Sequence, residues 1–569
     1  MQVDFRQILY ENWGYSDFRP LQHDIIESVT SGRDTLAILP TGGGKSLTYQ
    51  VPSLVLPGLT IVISPLIALM TDQVNSLKNR GIRAEVLHAG LHRQKILYIL
   101  EQAQYGAYNL LYLSPERLVS ELFIKRLEFI DVSLIAVDEA HCISEWGYDF
   151  RPSYIRIAEL RKFFPKAPIL ALTASATPEV IDDIQDKLQL SECNIFRGGI
   201  ERDNLYYIVR IVRDKIEELF KVLKGVNATS IVYARSRAKC EELAKILLSA
   251  GFSANYYHAG LDSEERTKRQ NSWMDGETQI LCATNAFGMG IDKSNVRVVV
   301  HYDIPDALEQ YYQEAGRAGR DGNKAYAVLL TTNGDLDRLS KRHEKVYPPK
   351  EYVRQVYQNL ANYYVVGVGS GCNSVFPFSL EEFCHSCKMS YAMVSGALSI
   401  LQWSGYITIT EEMESSSKLK VIKSPKNLFE WRMAHPENDR VLEFILRSCT
   451  GIFTDFHYIN EDYIAHSLQI NRDTVYNILR LLHQLDVVYY IPYKRSPLLI
   501  YDTDREDAAT LFIPSLAYEN RIERLRVRLS HMYRYVSDTE MCRSKILAHY
   551  FGQNNPVSCG HCDVCLSAR

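Results

Sequence analysis

The amino-acid sequence predicts an α/β protein with two parallel-sheet domains, followed by small helical modules and a metal-binding hairpin. Three observations carry this prediction. An apolar segment, a glycine-rich turn and a helical pattern follow one another in "TLAILPTGGGKSLTYQ", residues 35–50. Apolar strands alternate with helical patterns again from residue 204, which is typical of sheets covered by helices. Cys559, Cys562 and Cys565 lie in the last eleven residues, with two residues between each pair.

The composition is that of a globular protein of several domains. The 569 residues suggest roughly four domains at about 150 residues each. The net charge of −4 indicates no overall attraction to nucleic acid, so any such binding must come from local patches. No run of 18 apolar residues appears, and the acidic N-terminus lacks the apolar segment of a signal peptide. We therefore expect no membrane association and a reducing compartment, where the 12 cysteines serve as thiols and metal ligands.

The first glycine-rich turn has the residues of a phosphate-binding loop. Gly42, Gly43 and Gly44 allow backbone N–H groups to face an anion at the start of a helix. Lys45 would reach the β- and γ-phosphates of a nucleotide, and Ser46 would hold Mg²⁺. The strict pattern has a glycine five residues before Gly44, where this chain has leucine.

An acidic pair follows the next strongly apolar strand, at residues 134–137. Asp138 is placed to hold magnesium beside a phosphate-binding loop, and Glu139 to orient the attacking water. A solvated acidic loop is the alternative, which the apolar strand before it disfavours. The strand and hydroxyls of "ALTASAT", residues 171–177, add a third strand.

The second α/β unit ends in "YYQEAGRAGRDG", which presents Gln313, Arg317 and Arg320. An arginine that faces the γ-phosphate from a partner domain stabilises charge in phosphoryl transfer. Arginines on a helix surface are usually only solvated, but their position after two α/β units favours the catalytic role.

The motifs that carry a family resemblance occur in one order along residues 1 to about 340. They are "FRPLQ", "PTGGGKS", "SPLIALMTDQV", "SPERL", "DEAHCISEWGYDFRPSY", "ALTASAT", "YHAGL", "AFGMGID" and "QEAGRAGRDG". This set resembles the superfamily-2 helicases and specifically the RecQ family of DNA helicases. The resemblance implies two RecA-like domains with ATP and Mg²⁺ in the cleft between them.

The same resemblance assigns roles to further residues. Gln22 would recognise adenine, with Tyr15 and Arg19 flanking the base. Arg320 would be the arginine finger, with Arg317 as the second candidate. The segment that would bind the phosphates comprises Thr41, Gly42, Gly43, Gly44, Lys45 and Ser46.

Aromatic residues crowd the segment after Glu139, in "HCISEWGYDFRPSY". Trp146 and Phe150 are candidates to stack on unpaired bases, and Arg151 to contact DNA beside them. Tyr148 and Tyr154 belong to the same set. The alternative is a loop that only covers the core. The segment resembles the aromatic-rich loop that couples DNA binding to ATP hydrolysis in RecQ enzymes.

A weak repeat with an offset of 81 residues occupies the back half of the chain. The segment from Met389 aligns with the segment from Ile470, and each has a short helix before it and a strand after it. This helix–turn–helix–strand pattern is typical of winged-helix modules, which contact duplex DNA or serve only in packing. Lys494 and Arg495 are the candidate DNA contacts at a wing tip.

A long helix is predicted from Tyr518, with an apolar stripe and a basic face. The basic face consists of Arg521, Arg524 and Arg528. Two interpretations remain open for it, a solvated surface or contacts with DNA phosphates.

The three C-terminal cysteines need a fourth ligand to close a tetrahedral zinc site. Cys542, His549, His561 and Asp563 are the candidates in reach. The segment resembles the RecQ zinc module, and that resemblance implies the set Cys542, Cys559, Cys562 and Cys565. Four thiolates leave no open coordination position, so the Zn²⁺ would be structural. The chain stops four residues later, so we expect no additional C-terminal helical domain.

Five segments and one activity summarise these expectations. The segments are 1–203 and 204–345 for the RecA-like domains, 346–435 and 436–516 for the winged-helix-like modules, and 517–569 for the zinc hairpin. The activity that the resemblance implies is ATP-dependent 3′–5′ unwinding of DNA in replication, recombination and repair; an RNA helicase and an ATP-switched DNA-binding scaffold are the alternatives. The expected partners are single-stranded and forked DNA, with single-strand-binding or repair proteins, in the nucleoid of a bacterium or the nucleus of a eukaryote.

Overall fold

The computed structural model of the chain divides into two compact units. The first comprises Met1–His343 and Ile522–Arg569, and the second comprises Glu344–Arg521. The residues that the structure describes are 4–88, 91, 93–119, 121–147, 149–190, 192–288, 293–372, 374–409, 417–434, 436–449, 452–453, 457–485, 487–491 and 497–568.

The first lobe of the first unit contains a seven-stranded parallel sheet of order β3-β4-β2-β5-β6-β1-β7. Its strands are β1 Thr35–Ile38, β2 Leu59–Ile63, β3 Ala84–Leu87, β4 Leu110–Leu113, β5 Val132–Val137, β6 Ile169–Thr173 and β7 Asn194–Arg197. Its helices are α1 Phe5–Trp13, α2 Gln22–Thr30, α3 Leu47–Gln50, α4 Ile67–Asn79, α5 Arg93–Gln104, α6 Glu121–Leu127, α7 Leu160–Phe163 and α8 Pro178–Lys187.

Both faces of this sheet are buried, which explains its near-continuous apolar strands. Leu36 and Ile38 pack into one core and Ala37 and Leu39 into the other, because successive side chains of a strand point to opposite faces. Because the strands are parallel, the carboxyl ends of β1 and β5 lie at the same edge of the sheet, where the glycine-rich loop and the acidic pair begin.

The second lobe repeats this architecture with a six-stranded parallel sheet of order β10-β11-β9-β12-β13-β8. Its strands are β8 Leu205–Ile211, β9 Ser230–Tyr233, β10 Ala254–Tyr257, β11 Ile280–Ala283, β12 Val298–His301 and β13 Ala325–Thr331. Its helices are α9 Lys215–Val226, α10 Arg237–Ser249, α11 Ser263–Met274, α12 Leu308–Ala315, α13 Asn333–Ser340 and α14 Arg342–Val346. The two parallel sheets confirm the predicted fold class.

The second unit contains two copies of one helix–turn–helix–strand module. Its helices are α15 Lys350–Tyr363, α16 Leu380–Cys387, α17 Tyr391–Trp403, α18 Pro425–Ala434, α19 Pro436–Ser448, α20 Glu461–Leu468 and α21 Arg472–Gln484. Its strands are β14 Val375–Pro377, β15 Ile407–Ile409, β16 Ser417–Val421, β17 His457–Ile459, β18 Val488–Ile491 and β19 Leu498–Tyr501. The capping residues repeat as well: Ser379 and Asn460 cap the first helix of each pair, and Lys388 and Gln469 end it in the left-handed conformation.

The two modules exchange their central strands. β15 leads through residues 410–416 to β16, yet β15 pairs with β19 and β16 pairs with β17 and β18. The two sheets therefore have the orders β14-β19-β15 and β17-β16-β18. In a simple tandem, β15 and β16 would form the wing hairpin of the first module, and β18 and β19 that of the second.

This exchange moves a domain boundary. We expected the second winged-helix-like segment to begin at residue 436, but β16 already belongs to its sheet at residues 417–421. The first module is completed by β19, beyond the second module. The second module is therefore an insertion within the first rather than its successor.

The C-terminal hairpin belongs to the first unit. It consists of α22 Glu519–Ser537, α23 Arg543–Tyr550 and α24 Asp563–Ser567. The hairpin contacts both lobes: Arg197 Nη1 donates to the Gly552 carbonyl at 3.3 Å, and the Val209 amide of β8 donates to Asp563 Oδ2 at 3.0 Å. No helix of the described part of the chain has the length and apolarity needed to cross a membrane.

Candidate functional site

The glycine-rich loop joins β1 to the short helix α3. Gly42 and Gly44 have φ angles of 80° and 75°, which L-amino acids with side chains rarely adopt. Positive φ values at glycine are typical of the turns in phosphate-binding loops. The glycine-rich turn lies at the edge of the sheet between β1 and α3, and its role in binding phosphate stays a prediction.

The side chains of Gln22 and Arg19 bind the backbone of this loop. The Gln22 amide donates to the carbonyls of Gly43 and Gly44 at 3.2 and 2.9 Å, and Arg19 Nη1 donates to the carbonyl of Gly42. Gln22 is buried and its side-chain oxygen accepts from the Arg19 amide at 2.9 Å. Both residues expected at the adenine base thus bind the loop backbone in this structure, while Tyr15 is exposed.

Asp138 and Glu139 lie in the same cleft at the end of β5. The Asp138 amide donates to Ile63 of β2 at 2.8 Å, and the Glu139 amide donates to Asp138 Oδ1 at 3.0 Å. Burial, followed by repulsion from Glu139, raises the pKa of Asp138 to about 6, and Lys45 opposes that shift. Burial also raises the pKa of Glu139. Two adjacent, half-buried carboxylates are a donor set that fits a divalent cation, which would favour their charged forms.

His141 connects Glu139 to the next strand. Its Nδ1 lies 3.4 Å from Glu139 Oε2 and 3.0 Å from Thr173 Oγ1. Burial lowers the pKa of His141 to about 4, so the imidazole is neutral at neutral pH. The sequence did not single out Thr173 as its partner, although the "ALTASAT" motif contains it.

The second lobe sends two arginines to the cleft. A Cβ added at Gly42 would lie 3.6 Å from Arg320 Cγ, so the Arg320 side chain runs across the glycine-rich loop. Arg317 is buried, and its positive charge opposes the rise in the pKa of Glu139 that burial causes. Nε and Nη1 of Arg317 have no hydrogen-bond partner among the described residues. Two buried, unsatisfied donors of a cation beside a phosphate-binding loop suit an anionic ligand.

A buried hydrogen bond joins the lobes beside these arginines. Gln313 Nε2 of α12 donates to Ser175 Oγ at 3.1 Å. Gln313 and Ser175 both belong to motifs that the sequence had marked, but only the structure brings them together.

The aromatic segment begins directly after His141 on a turn of 3₁₀ helix, Ala140–Ile143. Trp146 is 46% exposed, and Phe150 is half-buried with Lys187 Nζ 5.7 Å from its ring centre. Arg151 Nη1 donates to the Pro65 carbonyl at 3.3 Å. Tyr154 is fully buried, and its hydroxyl donates to the Asp138 carbonyl at 3.0 Å, so this ring belongs to the core. Tyr148 lies outside the described residues.

The basic face of α22 contacts this aromatic segment. Arg524 Nη1 donates to Glu145 Oε2 at 2.8 Å, and the Arg524 guanidinium lies 4.5 Å from the centre of the Trp146 ring. Arg528 Nη1 donates to the Gly147 carbonyl at 3.2 Å. Arg521 stacks instead on Trp403, at 4.1 Å. The sequence marked these arginines, but not their protein partners.

The four predicted zinc ligands converge at the end of the hairpin. The ligand atoms of Cys542, Cys559, Cys562 and Cys565 all lie within 4.8 Å of one another. Cys542 Sγ lies 3.5 Å from Cys559 Sγ and 3.8 Å from Cys562 Sγ. A tetrahedral zinc with bonds of about 2.3 Å needs sulfur pairs about 3.8 Å apart, so the cluster fits Zn²⁺.

The rival ligands are engaged elsewhere. His561 Nε2 lies 3.2 Å from the Leu205 carbonyl, and Asp563 forms an ion pair with the buried Arg543 at 3.0 Å. His549 is exposed on α23. Each has a place outside the sulfur cluster, which leaves Cys542 as the fourth ligand. Lys494 and Arg495, the candidate wing-tip contacts, lie outside the described residues.

Four family models match the chain in succession. The model for DEAD/DEAH box helicases matches residues 19–184, and that for the conserved C-terminal helicase domain matches residues 214–322. The model for the winged-helix domain of Bacteroidota RecQ helicases matches residues 419–492, which run from β16 to the end of β18. The model for RecQ zinc binding matches residues 504–566.

Curated relatives support these family assignments, and a solved structure shares the fold. The probable ATP-dependent DNA helicase RecS of Bacillus subtilis (strain 168) is 42% identical over 337 residues, or 58% of this chain and 68% of that protein. The ATP-dependent DNA helicase RecQ of Pasteurella multocida (strain Pm70) is 43% identical over 349 residues, but the match spans only 55% of its length. The crystal structure of the DUF1998 helicase MrfA bound to DNA shares the fold, with a TM-score of 0.51 at 18% identity over 60% of this chain and 52% of that one.

Proposed function

The chain belongs to the RecQ family of ATP-dependent DNA helicases, and we propose that it uses ATP hydrolysis to translocate 3′ to 5′ along one DNA strand and separate a forked duplex. The observation that carries this proposal is the continuity of residues 138–147. One short segment contains both the acids of the nucleotide cleft and the exposed Trp146 ring. A base that stacks on this ring can therefore influence hydrolysis directly.

Lys45, Ser46 and Asp138 would bind the nucleotide. The Lys45 ammonium neutralises the β- and γ-phosphates, and the loop from Thr41 to Ser46 directs its N–H groups to them. Ser46 and Asp138 would hold Mg²⁺, which when bound offsets the phosphate charge. Binding the nucleotide requires Gln22 to release the loop carbonyls if it is to reach adenine.

Glu139 would orient the attacking water and accept its proton. The water oxygen forms a bond to the γ-phosphorus while the bond to the β–γ bridging oxygen breaks, which yields ADP and phosphate. Arg320, with Arg317 beside it, stabilises the charge that develops on the phosphoryl oxygens. Because these arginines belong to the second lobe, the barrier is lowest only when the lobes are closed.

Trp146 and Phe150 would stack on unpaired bases, and Arg151 would contact the strand beside them. Stacking contributes about 1–3 kcal/mol per base and tolerates any sequence, as a translocating enzyme requires. Closure and opening of the lobes would shift the grip on the strand by one step in each cycle.

A labelled forked duplex with a 3′ single-stranded tail tests this proposal. We expect unwinding that requires ATP, a weaker effect with a 5′ tail, and none with the Lys45→Ala variant. Hydrolysis stimulated by RNA but not by DNA would favour the RNA helicase. DNA-stimulated hydrolysis without strand separation would favour the scaffold.

We also propose the setting in which the chain acts. Its substrates would be single-stranded and forked DNA, in the compartment that holds the chromosome, together with single-strand-binding or repair proteins. The winged-helix modules, and Lys494 and Arg495 within them, are proposed as duplex contacts. Pull-down of single-strand-binding protein by the full chain would test the protein partner.

A further inference from the structure

Two arginines of α22 hold three consecutive residues of the aromatic segment. Arg524 contacts Glu145 and Trp146, and Arg528 contacts Gly147 one helical turn later. We infer that Arg524 and Arg528 form a latch that fixes this segment in the DNA-free enzyme and that opens when an unpaired base stacks on Trp146. The inference rests on the proposed function, because it concerns how the strand regulates hydrolysis.

The contacts have the features of a specific restraint. The Arg524 side chain is only 13% exposed, and it uses one planar group both to pair with Glu145 and to face the Trp146 ring. The exposed arginine next on this helix, Arg526, pairs with Glu523 of the same helix at 3.3 Å and has no other ion pair within the described part of the chain. The latch arginines therefore differ from ordinary surface charges on α22.

A DNA strand offers a replacement for each contact that it would break. A base competes with the guanidinium for the Trp146 ring, since both bind the π-face. The phosphate next to that base can pair with Arg524 in place of Glu145. Arg524 stays paired in this exchange, and the Glu145 carboxylate, which is 30% exposed, is released toward water, so the latch can open without the cost of an orphaned cation.

The latch can affect hydrolysis through the 3₁₀ turn Ala140–Ile143, which immediately precedes the latched residues. The Trp146 amide donates to Ser144 Oγ at 3.1 Å, and Ser144 follows the 3₁₀ turn that contains His141. His141 in turn faces Glu139 Oε2. A segment fixed at residues 145–147 therefore restrains the partner of the catalytic carboxylate, and its release allows that carboxylate to reorient.

The other end of α22 is fixed to the second lobe. The Tyr535 hydroxyl lies 3.1 Å from the Tyr311 hydroxyl of α12, the helix that leads to Arg317 and Arg320. Arg543 anchors this end by donating to the Tyr535 carbonyl. A helix of 19 residues, about 28 Å long, thus joins the aromatic segment of one lobe to the arginine helix of the other. The zinc hairpin would therefore hold the latch arginines in position.

The test is the Arg524→Ala variant of the full chain, with Arg526→Ala as the matched control. Loss of the ring and carboxylate contacts should raise DNA-free ATP hydrolysis about 3- to 10-fold, while the rate at saturating single-stranded DNA stays unchanged. Arg526→Ala should leave both rates as they are. Arg524→Lys, which keeps the charge but not the planar group, should be intermediate.

Acrylamide quenching of Trp146 fluorescence provides a second readout, isolated by subtracting a Trp146→Phe background from the five tryptophans. We expect greater quenching in Arg524→Ala without DNA and no change in melting temperature or zinc content. Unchanged quenching and unchanged DNA-free hydrolysis would overturn the latch. Lost DNA stimulation with unchanged DNA-free hydrolysis would overturn it as well, because Arg524 would then support the bound strand. If DNA fails to stimulate even the unmodified chain, the proposed function fails, while the quenching result still decides whether the latch exists.

Discussion

The two lobes share one architecture but contribute opposite charges to the cleft. The first lobe places a glycine-rich loop after β1 and two half-buried carboxylates after β5. The second lobe has the same parallel sheet, yet it contributes two arginines that follow α12. In the proposed mechanism, one lobe would bind the nucleotide and activate water, whereas the arginines of the other would stabilise the transition state.

This division explains why a motor needs two similar domains. A single lobe with all the groups would hydrolyse ATP in any conformation, so hydrolysis would not be coupled to closure of the lobes. With the groups divided as proposed, turnover would depend on closure of the lobes, and a change in closure or in the segment at residues 138–147 would change the rate of hydrolysis. The contrast between a binding lobe and an arginine lobe can be tested by variants on each side, ordered here by their expected effect on ATP turnover.

The largest effect is expected from the binding lobe. Lys45→Ala removes the ammonium that neutralises the phosphates and should abolish ATP turnover and unwinding without loss of folding. Glu139→Gln keeps that group and should still bind ATP while hydrolysing it about 10²- to 10⁴-fold more slowly. Nucleotide binding and steady-state hydrolysis measure the two effects. Normal hydrolysis by Lys45→Ala would contradict the assignment of the binding lobe.

The arginine lobe should lose rate but not affinity. Arg320→Ala should lower the rate of hydrolysis about 10³-fold or more while the dissociation constant for ATP changes little, because the arginine acts on charge that develops in the transition state. Arg317→Ala should have the same direction of effect and a smaller size. Single-turnover hydrolysis and nucleotide titration separate rate from affinity. A loss of affinity as large as the loss of rate would contradict the division of labour.

Trp146→Ala should spare both lobes and uncouple them from the strand. Removal of a stacking platform worth about 1–3 kcal/mol should preserve the melting temperature and lower stimulation by single-stranded DNA. DNA-free hydrolysis should persist and rise no further than in Arg524→Ala, because the Arg524–Glu145 pair remains. Overall DNA affinity should fall less, because phosphate contacts remain. Paired measurements of melting temperature and ATPase with and without DNA test this. Loss of stability together with DNA-free hydrolysis would instead identify Trp146 as a core residue.

The zinc site should have the smallest effect on the cleft. Cys542→Ser should lose the bound metal and destabilise the C-terminal hairpin, because four thiolates are needed to close a structural site. His561→Ala is the matched control and should retain one zinc per chain, since its ring lies against Leu205 and Tyr206. Metal content by atomic emission distinguishes them. Zinc retained in the first variant and lost in the second would reverse the ligand assignment.

Local chemistry made the cleft and the zinc site accessible to sequence analysis. The glycine-rich loop, Asp138, Glu139 and the cysteine spacing each need particular residue types at short range, and such patterns are readable in one dimension. The same is true of the repeated helix pairs, whose apolar spacing and capping residues recur after 81 residues.

Pairings between residues far apart in the chain could not be predicted from the sequence when two partners were equivalent. β16 and β19 are strands of similar length at nearly the same offset as the helices, so either can fill the central position of either sheet. Only packing in three dimensions selects the exchanged pairing. The contact of Arg524 with Glu145 spans 379 residues, and no local sequence pattern around either residue identifies the other as its partner.

The exchanged strands also constrain the order of events as the chain leaves the ribosome. A tandem of winged helices could fold one after the other, each closing a short hairpin. Here the first module, which starts near residue 350, cannot complete its sheet until β19 at residues 498–501 has been synthesised. Its closure spans the whole second module, so the entropic cost is higher and formation is slower than for a local hairpin. The inserted second module should therefore fold first, and the first module should complete its sheet afterwards, when β19 becomes available.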